Sequence, residues 1–190
     1  MKITEQNIQS IYTKYGVSEA RAQHSLGVAR IAVDLAKINN VDPEKAWLAG
    51  ALHDLARDWD LNKKEKYTKN HNIIFSNEEK RFPYLTHGKI AADIAKEELD
   101  ISEDDILLAI ATHTSGEAKM STLQSIIYAS DYIDSTKDRL ELQSIHRKVF
   151  EDLNIGINQI NRDTLKYLQE SKRTPTLAFL RNLKHYSKYI

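Results

Sequence analysis

Six histidine and aspartate side chains in this sequence stand where they could bind a divalent metal ion. They are His24, His53, Asp54, His87, His113 and Asp131. Imidazole nitrogen and carboxylate oxygen together form a borderline ligand set that suits iron, manganese, cobalt, nickel or zinc. An isolated His-Asp dipeptide such as His53-Asp54 is weak evidence, so the metal hypothesis depends on the whole set.

All of these side chains except Asp54 line up with the apolar face of a predicted helix. His24 lies four residues before Val28, and Asp131 lies four after Ile127. Residues separated by three, four or seven positions share one face of a helix. His53 follows the last apolar turn of its helix, and Asp54 stands beside it. Helices that share a core should therefore direct all six side chains toward one place.

A simpler interpretation exists for any one histidine, because a hydrogen-bonded histidine is common at intermediate burial. The complete set is harder to accommodate in that way, since each unpaired buried polar group costs about 1–3 kcal/mol. A bound divalent ion would satisfy several of these groups at once. By contrast, His71, His146 and His185 stand among polar or charged residues and are predicted to lie on the surface.

The elements that position these residues are predicted to be helices. The chain has only 6 glycines and 3 prolines, and its apolar residues recur mainly at spacings of three and four, which favours an all-α fold. We expect one domain over residues 1–190, with a metal-binding core at about 18–134 and C-terminal helices over 135–190. A break is expected near Thr174-Pro175, and 62–72 is expected to form a short exposed helix.

Capping residues mark where several helices should begin. Ser18 is predicted to cap a helix that runs to about Asn39, and Asp42 with Pro43 should start the next. Further caps are expected at Thr86, at Ser102 with Asp105 in a capping box, and at Ser121 or Thr122. An initial helix over residues 5–15 should end at Gly16.

Composition excludes several functional classes. Lys+Arg and Asp+Glu both number 27, so the formal net charge is zero and no general nucleic-acid or membrane surface is indicated. The absence of cysteine excludes disulfides, thiolate ligands and a cysteine nucleophile. No apolar run resembles a signal peptide or a membrane span, so we expect a cytoplasmic protein.

The order of the candidate ligands resembles that of the HD-domain phosphohydrolase superfamily. Its pattern H…HD…D matches His24, His53-Asp54 and Asp131, and the added pair His87 and His113 is found in versions with a longer histidine set. The local sequences RAQHSLGVA, ALHDLAR, LTHG, THTSG and IYASDYID are similar to those of the YqeK-type family. Those proteins are bacterial hydrolases that split diadenosine tetraphosphate symmetrically into two ADP. The resemblance covers about residues 18–134, so an HD-domain helical bundle is expected.

The resemblance implies roles for the six residues. His24, His53, Asp54 and Asp131 should hold one divalent metal ion, iron in this family. His87 and His113 would border it and either hold a second ion, with Asp54 bridging, or bind phosphate. As catalytic groups, Asp54 could orient the attacking water, and His87 or His113 could donate a proton to the leaving oxygen.

The four phosphates of a dinucleoside tetraphosphate would also require cations and hydrogen-bond donors in the site. Arg21 lies one helical turn before His24 and Arg57 one turn after His53, so both could bind phosphate through the guanidinium fork. The predicted nucleotide-contacting set is Arg21, His24, Arg57, His87, His113, Thr114 and Asp131. Weaker phosphate-binding candidates are the Ser115 hydroxyl, the backbone N–H groups of Ser115 and Gly116, and the cations Lys89 and Lys137. Trp59 and Tyr132 are candidates for stacking on adenine.

Three functional hypotheses follow. The first is symmetrical hydrolysis of diadenosine tetraphosphate and related dinucleoside tetraphosphates, with ADP as product and a homodimer as one possible assembly. The second is another HD-type nucleotide phosphohydrolase or a cyclic-dinucleotide phosphodiesterase, because fold does not choose substrate. The third is a non-catalytic nucleotide-sensing or partner-binding module, which the complete ligand set argues against.

Overall fold

The computed structural model describes residues 3–134 and 140–190, with only the backbone described at 140 and 141. Eleven α-helices and no strand are found among these residues, which confirms the all-α prediction. The helices are α1 (Ile8–Tyr15), α2 (Glu19–Ile38), α3 (Pro43–Leu52), α4 (Leu61–Asn70), α5 (Asn77–Arg81), α6 (Thr86–Glu97), α7 (Asp104–Thr112), α8 (Thr122–Ile133), α9 (Leu140–Glu151), α10 (Leu153–Glu170) and α11 (Leu177–Tyr186). A 3-10 turn, Pro83–Leu85, precedes α6.

Most of the predicted helix starts are confirmed. The Ser18 side chain accepts from the N–H of Arg21, Asp42 caps α3 with Pro43 at its first position, and Ser121 forms a capping box with Gln124. Such caps satisfy N–H groups that have no partner within the helix.

Two predicted caps are wrong. Thr86 is already helical and donates its hydroxyl to Pro83 O, because the 3-10 turn leads directly into α6. Ser102 lies before the N-cap of α7, which is Glu103, and no side chain caps that helix. The capping box fails because the helix begins one residue later than predicted, and the Asp105 carboxylate accepts from Lys45.

Glycines allow the helices that carry the candidate ligands to approach one another closely. A Cβ on Gly50 of α3 would lie 2.7 Å from the Cα of Ala29 in α2. A Cβ on Gly88 of α6 would lie 2.9 Å from the carbonyl oxygen of Ala111 in α7. Both contacts are with backbone atoms, so a larger side chain would force the helices apart. Each glycine lies within three residues of a candidate histidine.

The C-terminal helices pack against the ligand-bearing core through α8. Helix α10 contacts α8, α9 and α11. Its buried face includes Ile157, Ile160 and Asn161. Helices α10 and α11 are separated at residues 171–176, as the Thr174-Pro175 break predicted. Among the helices described, none has the length and apolar character needed to cross a membrane.

Candidate metal centre

Four of the predicted ligands bring one nitrogen or oxygen atom each to a common point. His24 Nε2 lies 3.1 Å from Asp131 Oδ1 and 3.8 Å from Asp54 Oδ2. His53 Nε2 lies 3.5 Å from the same Asp54 oxygen and 3.9 Å from Asp131 Oδ1. Ligand atoms about 2.1 Å from a shared ion are roughly 3–4 Å from one another. The four atoms therefore have the spacing of a metal-coordination sphere.

The other carboxylate oxygen of Asp54 faces the second histidine pair. Asp54 Oδ1 lies 3.0 Å from His87 Nε2 and 3.5 Å from His113 Nε2, and those two nitrogens are 3.0 Å apart. The hydroxyl of Thr114 is 3.2 Å from His113 Nε2. Asp54 thus stands between two groups of nitrogen atoms, with one oxygen toward each.

The Nδ1 atom of every one of the four histidines is held by an acceptor. His53, His87 and His113 each donate Nδ1–H to the carbonyl three residues earlier, at 2.7–2.8 Å. His24 Nδ1 lies 2.9 Å from Asp134 Oδ2. These contacts favour the tautomer in which Nε2 carries the lone pair that binds a metal. For His53 and His113 they also satisfy carbonyls in the last turns of α3 and α7, which have no partner in the helix.

Buried nitrogen atoms without hydrogen bonds support the fit of a cation. His24 Nε2 and His53 Nε2 are both buried and make no hydrogen bond. Unpartnered buried polar atoms are costly, and a metal ion is one group that satisfies them. Two sets of three side chains have ligand atoms close enough to hold one metal ion. The first is His24, His53 and Asp131, and the second is His53, Asp54 and His113.

Asp134 is a site residue that the sequence reasoning missed. It is 1% exposed, and its carboxylate fixes the imidazole of His24. The approach depends on Gly27, one turn after His24, since a Cβ there would lie 2.2 Å from Asp134 Oδ1. The sequence signals were an Asp three residues after Asp131 and a glycine inside an otherwise regular helix. Neither signal specifies which ligand the carboxylate orients.

The pKa values of the four candidate histidines are shifted in different directions. Burial opposes protonation of His24, but Asp131 and Asp134 outweigh it and raise its pKa to about 9. Burial lowers the pKa of His87 to about 4, and it also lowers the pKa of His53. For His113 burial likewise favours the neutral form, but Asp54 outweighs it and raises the pKa. Without a metal ion, a proton on His24 neutralises part of the carboxylate charge, and the raised pKa of His113 acts in the same direction.

A cavity of about 480 Å³ opens onto these ligand atoms, and the predicted phosphate-binding residues Arg21, Arg57 and Thr114 line it. Arg21 Nη1 lies 2.7 Å from Asp54 Oδ2, so this guanidinium offsets the negative charge of the Asp54 carboxylate. Arg57 Nη1 donates to Tyr84 O, the same carbonyl that accepts from His87. Both arginines are therefore tied to the ligand set as well as exposed to the cavity.

Several weaker candidates lie elsewhere. Lys89 forms an ion pair with Glu79, and Lys137 falls outside the described residues. Trp59 is 7% exposed and donates its indole N–H to Tyr15 O, so it packs in the core. The N–H of Gly116 donates to Thr112 O within the turn, which removes it as a phosphate donor.

The predicted surface histidines are only partly as expected. His146 is exposed, whereas His71 and His185 are half-buried. His71 Nδ1 lies 2.7 Å from Asp93 Oδ2, and its ring stacks on Tyr67. A carboxylate on α6, distant in sequence, thus partly covers a histidine that its own polar neighbours suggested would be free.

The C-terminal helices support the turn that follows His113. Tyr128 of α8 donates to Asn161 Oδ1 of α10, and Asn161 Nδ2 donates to Asn182 Oδ1 of α11. Asn182 Nδ2 in turn donates to Ser115 O at 3.3 Å. We call Tyr128, Asn161 and Asn182 the polar chain. It connects α8, α10 and α11 to the turn that carries Thr114.

Comparison with known proteins identifies the family. The HD domain model matches residues 21–136, which is more than half of the chain and includes every ligand described above. The chain belongs to the HD domain family. That family binds divalent metals, which agrees with the unpartnered Nε2 atoms.

Individual relatives indicate the subgroup of the HD domain family to which the chain belongs. A protein of Halalkalibacterium halodurans named bis(5′-nucleosyl)-tetraphosphatase, symmetrical, is 34% identical over 80% of this chain and 81% of its own length. A protein of Staphylococcus aureus with the same name is 30% identical over 93% of this chain and 87% of its own. The chain therefore belongs with the symmetrical bis(5′-nucleosyl)-tetraphosphatases within the HD domain family.

A solved structure confirms the fold along the whole chain. A Clostridium acetobutylicum protein described as a predicted HD superfamily hydrolase involved in NAD metabolism superimposes with a TM-score of 0.90. It is 30% identical, and each chain covers 100% of the other. The C-terminal helices thus have counterparts in that protein, beyond the region that the domain model matches.

Proposed function

We propose that this protein is a metal-dependent hydrolase that cleaves diadenosine tetraphosphate and related dinucleoside tetraphosphates symmetrically. The observation that carries the proposal is the convergence of two histidine groups on the two oxygens of Asp54, in a cavity that two arginines line. The names of the relatives supply the substrate class. A cavity of this size lies in the range of small-molecule sites.

The ligand roles in the proposal are as follows. His24, His53, Asp54 and Asp131 would hold one divalent ion, and Asp134 would orient His24. When bound, such an ion supplies Lewis acidity toward phosphate oxygens and lowers the pKa of water. His87 and His113 would either hold a second ion together with Asp54 or contact phosphate directly.

The protein side chains would position the substrate and move its protons. Arg21 and Arg57 would neutralise phosphate charge, and Thr114 would donate its hydroxyl to a phosphate oxygen. If His87 and His113 hold no ion, the raised pKa of His113 favours the protonated imidazole, whose Nε2 lies 3.0 Å from His87 Nε2. Transfer of such a proton to the leaving oxygen would neutralise the negative charge that develops there as the P–O bond breaks. Asp54 would orient the attacking water.

Four finer features stay predictions: iron as the ion, ADP as the product, a homodimer, and a cytoplasmic location. The first two follow from the resemblance and the chemistry of the ligand set. A single working unit over residues 1–190 is likewise proposed. The polar chain supports it, because it connects the C-terminal helices to the turn after His113.

Product identification tests the function. Protein loaded anaerobically with Fe²⁺ or Mn²⁺ should convert diadenosine tetraphosphate to ADP alone. The variant His53→Ala should be inactive, whereas the matched control His146→Gln should retain full turnover, since His146 is exposed and remote in sequence from the ligands. Formation of AMP with ATP, or turnover only of mononucleotides or cyclic dinucleotides in a parallel panel, would refute symmetrical hydrolysis.

A further inference from the structure

A second cavity, of about 330 Å³, adjoins the metal centre on the side of α10. It shares Arg57, His113, Thr114 and Asp131 with the cavity described above, so the two meet at the ligand atoms. The first cavity extends from there to Ser18, Ala20 and Arg21 at the start of α2, whereas the second extends to α10. The metal centre therefore has two adjoining spaces with different walls.

The wall of the second cavity has the chemistry of a nucleoside site. Tyr132 of α8 and Tyr167 of α10 line it, and the Tyr167 side chain is 50% exposed. The guanidinium of Arg173 lies 5.7 Å from the centre of the Tyr167 ring. Exposed aromatic rings stack on nucleobases, and an adjacent arginine adds a cation–π contribution.

Asp163 distinguishes the two ends of the second cavity, because it places a negative charge at one of them. It lines the cavity together with the two tyrosines, and its carboxylate accepts a hydrogen bond from the Tyr132 hydroxyl. A carboxylate repels phosphate but accepts hydrogen bonds from ribose hydroxyls, as acidic residues do in dinucleotide-binding folds. The phosphates would therefore lie at the end formed by Arg57 and His113, and the sugar at the end formed by Asp163.

We propose that the second cavity is a nucleoside subsite in which Tyr167 stacks on the base and Asp163 binds the ribose hydroxyls. The inference rests on the proposed function, because a substrate with a nucleoside at each end and its scissile phosphate in the middle requires a space on either side of the reacting centre. It also gives α10 a direct part in substrate recognition, separate from its structural contact with α8.

Steady-state kinetics with diadenosine tetraphosphate test the subsite. Tyr167→Ala should raise KM by about 5- to 150-fold, the range expected for loss of one base–aromatic stack. The kcat should be nearly unchanged, because the stack would stabilise the bound substrate and the transition state equally, and both lose it in the variant. Tyr167→Phe should restore the wild-type KM. An unchanged KM in Tyr167→Ala, or a Phe variant as weak as the Ala variant, would overturn stacking.

The ribose contact is tested by binding. Metal-loaded wild type should bind ADP more tightly than 2′,3′-dideoxy-ADP in calorimetric titrations, and Asp163→Ala should remove that difference. Asp93→Ala is the matched control, since Asp93 also accepts from a tyrosine, Tyr67, but lines neither cavity. Equal discrimination in wild type and Asp163→Ala, or its loss in Asp93→Ala, would overturn the role of Asp163.

These two assays separate the subsite from the proposed function. If the wild type does not hydrolyse diadenosine tetraphosphate, symmetrical hydrolysis fails, and calorimetric binding of ADP still decides the subsite. The subsite would then be supported if the wild type binds ADP and Tyr167→Ala binds it more weakly. A metal-loaded wild type that does not bind ADP would overturn it.

Discussion

The helices that carry the candidate ligands and the C-terminal helices differ in how they contribute to the site. In the first region Gly50 and Gly88 let backbones approach, Gly27 makes room for the Asp134 carboxylate, and each candidate ligand histidine has its Nδ1 held by an acceptor. Within the described residues, the region α9–α11 supplies no candidate ligand. It supplies the polar chain and the wall of the second cavity. Ligand geometry and substrate fit thus depend on separate parts of the chain.

The largest effect should come from Asp54, which both histidine groups share. Asp54→Ala should lower metal affinity by more than the roughly 10- to 100-fold typical of residues that only orient a ligand, because it removes a ligand itself. Turnover should fall with it. Metal titrations of this variant and of Asp93→Ala would measure the effect. If Asp54→Ala binds metal as well as the control does, Asp54 does not link the two groups.

A smaller loss is expected when the orientation of His24 is disturbed. Asp134→Asn should weaken metal binding about 10- to 100-fold, as is typical for residues that orient a ligand. Gly27→Ala should have a similar effect, because its Cβ would displace Asp134. Gly50→Ala should instead lower the melting temperature, since its Cβ would meet the backbone of α2. Metal titration and thermal unfolding of all three variants would reveal whether these effects separate.

In the C-terminal region the expected loss is in stability and turnover, with metal affinity preserved. Asn161→Ala removes the acceptor of the Tyr128 hydroxyl and the donor to Asn182 Oδ1, and should cost about 1–3 kcal/mol of unfolding free energy. That corresponds to a melting temperature lowered by roughly 2–4 °C for each kcal/mol. A loss of metal affinity as large as that of Asp134→Asn would contradict the division between the two regions.

The smallest expected effect is the pH dependence of the metal-free protein. The pKa of His87 is lowered to about 4, whereas an unfolded histidine has a value of about 6.5. The unfolded chain therefore binds the extra proton between these values, and stability falls as the pH drops through them. Thermal unfolding should show a shallower acid decline for His87→Gln than for wild type or His146→Gln. Equal declines would contradict the burial of a neutral His87.

His24 should act in the opposite direction. Its pKa is raised to about 9, so its contribution to stability is complete below about pH 6.5 and is lost as the pH rises through 9. A metal ion must displace the proton from Nε2, so metal binding near pH 7.5 should release protons. Titrations in buffers of different ionisation enthalpy would count them. Zero protons released would show that His24 does not carry its proton in the metal-free state.

Much of the ligand set could be predicted from the sequence, because helical periodicity states which face a residue occupies. His24 and Asp131 lie in register with buried apolar residues of α2 and α8, and their convergence follows from a shared core. The order of the motifs also indicated the family. The spacing of the ligand atoms could not be predicted, since it depends on how closely the helices pack.

The unpredicted features depend on contacts between residues distant in sequence. Asp134 contacts His24 across 110 positions, and Glu78 accepts from the N–H of Leu177 across 99. Thr86 failed as a cap because the turn before it is already helical. Local patterns indicate which residues face inward, but they do not indicate which partner from another element meets them.

Metal analysis tests the central claim most directly. Protein purified anaerobically, supplied with Fe²⁺ and then desalted, should retain at least one ion per chain by mass spectrometry, and two if His87 and His113 also bind one. The variant His53→Ala should retain none, and His146→Gln should match the wild type. Wild-type protein that emerges without metal, or an equal metal content in His53→Ala, would contradict a cation held by these side chains.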